Sequence, residues 1–133
     1  MTTHTDLKGT TMIHIHATNI ELAEGETYAG ILLGQNGTPS HHLVLLPGDA
    51  EDLTWVKAKK FAKKSGGDLP SRREQSLLFA NLKDEFKGTW YWSGEQHAYE
   101  PSYTWCQYFG HGYQGGYQGG YQCRARSVRR VMV

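Results

Sequence analysis

Cysteine is scarce in this chain. Two thiols, Cys106 and Cys123, in 133 residues cannot supply the dense disulfide framework that props up small secreted domains. The opening residues lack an apolar leader and a small-residue cleavage site, and no run approaches the roughly 18 apolar residues of a membrane span. The chain is therefore expected to be cytoplasmic as synthesised, with both thiols reduced in semi-buried strands; a bridge between them across a hairpin is the alternative. An excess of one charge is missing too, since the formal net charge is +1, which excludes general electrostatic attraction to nucleic acid. No nucleophile stands beside a matched base, and no glycine loop is built to cradle phosphate, so catalysis has no visible carrier. His14 with His16 and His41 with His42 lack cysteines or carboxylates at ligand spacing, so they are expected to be strand histidines without a metal.

What is present is a composition 38% hydrophobic and 12% aromatic, sufficient for one globular domain with a single core. Near the C-terminus the chain reads GYQGGYQGGYQ from Gly112 to Gln122, three Gly-Tyr-Gln units four residues apart. Glycine offers nothing to bury and loses the most backbone freedom on folding, which predicts a loop. Tyrosine brings a large contact area, a hydroxyl and only two torsions to freeze, the composition of a recognition loop. Tyr113, Tyr117 and Tyr121 are therefore candidate anchors, with Gln114, Gln118 and Gln122 as hydrogen-bonding partners and His111 at the loop base. Trp90, Trp92, Trp105 and Tyr108 form the expected platform beneath. The competing reading is a tandem duplication in the gene that left a flexible loop without a ligand.

Along the chain, residues 1–8 are polar and expected to fray, 12–16 alternate, and 26–33 and 42–46 are apolar strands joined by a hairpin through Asn36-Gly37. The period then changes. Trp55, Ala58, Phe61 and Ala62 share one helical face, with Thr54 placed to cap the start and Gly66-Gly67 to stop it; the lysines around them read as a solvated face. Ser71 and Glu74 form a capping box that opens a second helix through Leu77, Leu78, Leu82 and Phe86, ending at Gly88. Residues 89–93, 102–109 and 123–133 return to strand patterns. Arg124, Arg126, Arg129 and Arg130 in the last run are expected to clamp it through Glu74, Glu85 or backbone carbonyls, with a site for an anionic ligand as the alternative. Strands, two helices, then strands predict an α+β domain with both helices packed on antiparallel sheets.

The run GDLPSRRE at 67–74, Tyr91-Trp92-Ser93, the aromatic run 105–109 and the terminal RSVRRV together resemble a bacterial and phage family of C-type-lectin-like domains. The resemblance spans about residues 26–131 and shares its Leu-Pro-Ser/Thr helix start with the formylglycine-generating branch of the same fold. It implies a C-type-lectin-like fold over 26–133, preceded by an arm and first strand over 1–25. It also implies a long C-terminal hairpin loop displaying variable residues, as in the variable proteins of diversity-generating retroelements and phage receptor-binding tips. The expected function is then non-enzymatic binding of a protein or glycan on a cell surface, phage- or prophage-related, in the cytoplasm or on a virion. The alternatives are an assembly role with the loop at a homo-oligomer interface, or a Cys123-dependent oxidase.

Related activities can be tested against the residues. Calcium-dependent sugar binding needs several hard oxygen ligands, typically Glu-Pro-Asn with Trp-Asn-Asp. Here Glu100-Pro101 is followed by Ser102 and no Trp-Asn-Asp occurs, so no such calcium site is expected. The copper chemistry of the sister branch resembles a site of two cysteines close in sequence, whereas the only partner for Cys123 is 17 residues away. No cofactor is expected.

Overall fold

In a computed structural model, residues 2–5, 9–14 and 17–133 are described. Strands β1 (Thr2–Thr5) and β2 (Thr11–His14) form an antiparallel hairpin, so the segment expected to fray is partly paired. Ile15 and His16, at the end of the predicted first strand, lie outside the described residues.

The hairpin predicted at Asn36-Gly37 joins β3 (Thr27–Leu32) to β4 (His41–Leu45). Asn36 and Gly37 both take positive φ, 53° and 84°, the backbone that this residue pair adopts with least strain. β5 (Ala50–Leu53) follows the break at Pro47 and Gly48. Helix α1 (Trp55–Lys64) starts after Thr54 without a side-chain cap, and α2 (Arg72–Leu82) starts at the complete Ser71/Glu74 capping box. β6 (Trp90–Gln96), β7 (Tyr103–Tyr108), β8 (Gln114–Gln118), β9 (Cys123–Ala125) and β10 (Val128–Met132) complete the chain. The strands make a two-stranded sheet, a three-stranded sheet in the order β10-β4-β3 and a five-stranded sheet in the order β5-β9-β6-β7-β8. All pairs are antiparallel except β6 with β9. The architecture is α+β.

Successive strand residues face opposite ways, so Tyr91 and Trp92 supply one ring to each side of the five-stranded sheet. Tyr91 joins Leu43, Leu45, Leu78, Phe109 and Val128 beneath α2. Trp92 joins Ala58, Ala62, Leu69, Cys106, Cys123 and Ala125 beneath α1.

Three sequence expectations are corrected. α2 ends at Leu82 and gives way to a 3-10 turn, because Phe86 is needed in extended backbone to stack on Phe109 at 3.9 Å. The single C-terminal strand is two, because β9 belongs to one sheet and β10 to the other. At the crossing, the buried Arg126 donates to the carbonyls of Leu46 and Glu85 at 2.8 and 2.6 Å, the clamp its position suggested. The glycine-rich loop contains β8, paired to β7 from Tyr103↔Gln118 to Gln107↔Gln114.

Candidate ligand-binding face

The repeat forms a strand because its neighbours cover its glycines. A Cβ on Gly115 would lie 3.1 Å from the Tyr113 ring and 3.5 Å from Trp90, and one on Gly116 would lie 3.5 Å from Tyr103. Aromatic rings therefore lie over the bare backbone on both faces and supply the packing that glycine lacks. A repeat of four is twice the strand period, so Gln114 and Gln118 at the ends of β8 share one face and Tyr117 takes the other. Tyr113 just before the strand and Tyr121 beyond the turn at Gly119-Gly120 join Tyr117 through ring contacts.

On the tyrosine face, Trp90 is the hub. Tyr108, Tyr113 and Tyr117 meet it nearly edge-on, with ring centroids at 5.4, 6.0 and 5.0 Å. Perpendicular contacts match ring edge to ring face and fix the orientation of each side chain. Tyr121 leans on Tyr117 at 5.6 Å, and His111 lies over Tyr108 at 4.6 Å. Tyr113 and Tyr121 are 61% and 57% exposed, while Tyr117 is half-buried. Burial, followed by the nearby Cys123 and Cys106, raises the Tyr117 hydroxyl above its ordinary value, so it stays protonated at neutral pH. The far end of the repeat is tied down by the Trp55 amide, which donates to the Gly119 carbonyl at 3.0 Å.

The other candidates divide. Gln118 and Gln122 are exposed. Gln114 is not a display residue: its amide donates to the Arg72 carbonyl and to Gln107 Oε1, both at 2.8 Å, and its carbonyl accepts from Arg72 Nε, joining β8 to α2. Trp92 is 0% exposed and donates its indole hydrogen to the Leu53 carbonyl, so it belongs to the core and cannot touch a ligand. Trp105 lies on the opposite face, stacked between the Arg72 guanidinium at 3.6 Å and His97 at 4.8 Å. Of the predicted platform, Trp90 and Tyr108 alone underlie the tyrosines.

A cavity of about 200 Å³ adjoins this face, where Trp90 and Gln122 meet Glu51, Asp52 and Arg124. Sequence reading passed over Glu51 and Asp52. Asp52 holds φ at 56°, an uncommon value outside glycine, in a bulge where β5 pairs irregularly with β9. Arg124 bonds Asp49 at 2.9 Å and Glu51 at 3.1 Å, so of the two acids that line this cavity Asp52 is the one without an ion pair among the described residues.

Beneath the face, Cys106 and Cys123 are free thiols with sulfurs 3.9 Å apart, both buried. Contact with Cys123 and burial push the Cys106 thiol up, so it is protonated at neutral pH. Among the described residues, no three of His, Cys, Asp and Glu gather in a way that would hold a metal ion. Among the described residues no helix is long and apolar enough to cross a membrane. The remaining arginines clamp the last strand: Arg130 holds Glu74 through two bonds of 2.7 Å, and Arg129 holds Glu26.

No protein-family model matches the chain, and no curated protein matches it.

Proposed function

We propose that this protein is a non-enzymatic ligand-binding module of C-type-lectin-like fold, phage- or prophage-related, whose aromatic face meets a protein or glycan on a cell surface. The observation that carries this reading is the cluster of Tyr113, Tyr117 and Tyr121 in and beside β8, the first two held by Trp90 and the third by Tyr117, with two rings more than half exposed. Rigid, amphipathic rings in open solvent are the usual anchors of a binding site, since burying them on association costs little side-chain entropy. Exposed glutamines and the unpaired Asp52 at the rim supply polar specificity. Both thiols are enclosed, which favours a packing role for them over oxidase chemistry.

The experiment is a glycan array and a whole-cell binding assay with labelled protein, run beside Tyr113→Ala/Tyr121→Ala. The double variant should lose at least about tenfold in binding, with an unchanged thermal midpoint. Equal binding by the variant to the same glycan or cell type would overturn the reading.

A second reading is an assembly protein of a phage-like particle, with this face between subunits. It is favoured by the position of β8 at the end of its sheet, where unpaired backbone groups are open to strand addition. Light scattering separates the two. A mass that rises with concentration and falls back in the double variant supports assembly.

A further inference from the structure

The two cysteines touch although their strands are not neighbours. Cys106 lies on β7 and Cys123 on β9, and β6 separates the two in the five-stranded sheet. From β8 at one edge of that sheet the chain returns past β7 and β6 to reach β9, and the sulfurs end 3.9 Å apart. A closing motion of about 2 Å, shared between two side chains, would bring them to bonding distance. They share their cluster with the small side chains of Ala58, Ala62 and Ala125. The chain has no other cysteine, so neither thiol has a competing partner within it.

Residues 107–122, the stretch between the pair, carry all three repeated tyrosines and six glycines. Glycine gives an unfolded segment more freedom than any other residue, so closing this stretch into a ring removes much disorder from the unfolded chain. Beyond β8 the backbone is tied at Gly119, which accepts from the Trp55 amide at 3.0 Å and donates to the Ser102 carbonyl at 3.4 Å. A Cβ on the next residue, Gly120, would meet nothing within 4 Å. A covalent link at Cys123 would fix the far end of this crossing. The contact with Cys106 lowers the Cys123 thiol below its ordinary value, which favours the thiolate that exchange requires.

We infer that Cys106 and Cys123 are a disulfide site that latches the tyrosine segment, closing to one covalent bond between β9 and β7 with a small-molecule disulfide as the oxidant. The Cys123 thiolate attacks one sulfur of the reagent, forms a mixed disulfide and releases one small thiol. The Cys106 thiolate then attacks the Cys123 sulfur and displaces the second small thiol. The protein gives up two electrons, the reagent takes them, and the two protein thiol protons end on the two released thiols. Both cysteines are buried in the closed fold, so the exchange takes place as the chain folds, and the finished bond is shielded from reductants for the same reason. The latch is independent of whatever the face binds.

The test refolds the full chain from denaturant in a buffer of oxidised and reduced glutathione and, in parallel, in excess reductant. The first arm should yield a single chain that has lost two hydrogens by mass, shows no free thiol when unfolded, and keeps the secondary structure of the reduced form. Its thermal midpoint should exceed that of the reduced protein by about 10 °C, as suits a ring of this length, and proteolysis within residues 110–122 should slow several-fold. Cys123→Ala should show the same midpoint in both buffers. Folded protein that keeps both thiols in the glutathione arm overturns the inference, as does a bond made between chains. A bonded form that melts no higher than the reduced one also overturns it, because the sulfurs would then meet only by distorting the fold. Proteolysis unchanged by oxidation, or a midpoint for Cys123→Ala that still rises with glutathione, overturns the latch.

Discussion

The three repeated tyrosines share the same Gly-Tyr-Gln unit but not the same structural burden. Tyr117 packs on Trp90 and lies close to the thiol pair, whereas Tyr113 and Tyr121 keep most of their rings in solvent. Tyr117→Ala should therefore cost about 1–2 kcal/mol, a partial version of the loss seen on truncating a buried ring, and lower the thermal midpoint by roughly 5 °C. Tyr113→Ala and Tyr121→Ala should each stay within about 0.5 kcal/mol of the parent. Calorimetric melting of the three single variants checks this, and three equal losses would contradict it. The ordering sorts the rings into one that holds the face together and two that remain available to a partner.

For β8 as an element, the covering rings make a sharper prediction. Gly115→Val brings methyl groups against Tyr113 and Trp90, and should destabilise by about 1–2 kcal/mol. Gly120→Val meets nothing within 4 Å and should be close to neutral, which denaturant titration of the pair will show. This strand also marks where local reading of the chain stops. The Asn36-Gly37 hairpin, both helices and the capping box at Ser71 were legible because each rests on residues within a few positions of one another. β8 was not, since its glycines disfavour a strand until Trp90 and Tyr103, which arrive from β6 and β7, cover them. The early end of α2 has the same origin, because Phe86 answers to Phe109 rather than to the helix before it. Residue type alone pointed to the aromatic cluster, in which Tyr113, Tyr117, Tyr121, His111 and Tyr108 are in ring contact around Trp90. The faces were not legible, because treating the segment as a loop removed the alternation that separates Gln114 and Trp105 from the tyrosines.

Across the whole molecule, stability rests on carboxylates that bind β10 to the remaining elements. Glu74, 1% exposed, lies between Arg130, His41 Nε2 at 2.6 Å and the Ser71 amide. Burial alone would raise its pKa, but the bonds from Arg130 and Ser71 outweigh burial and hold it below its ordinary 4.5. Glu26 is lowered by Arg129, and Asp68 by Lys63 and Arg130. Each folded pKa lies beneath its unfolded value, so at acid pH the unfolded chain binds more protons. Their stabilisation is complete above about pH 4.5 and is lost as pH falls through the lowered values. The thermal midpoint should decline steeply below that point. Glu74→Gln, which leaves the partly buried Arg130 guanidinium with Asp68 as its remaining ion-pair partner, should cost about 1–3 kcal/mol at neutral pH and show a shallower acid decline.

The spacing of the GGYQ unit has a consequence for how such a chain can change. One unit spans four codons, and four residues return a strand to the face on which it started. Gaining or losing a whole unit within β8 therefore adds or removes a tyrosine while the rest of the strand keeps its orientation, whereas a change of one or three residues would turn each strand residue over. Copy number becomes a heritable dial on contact area, set in steps that preserve the two faces of the strand.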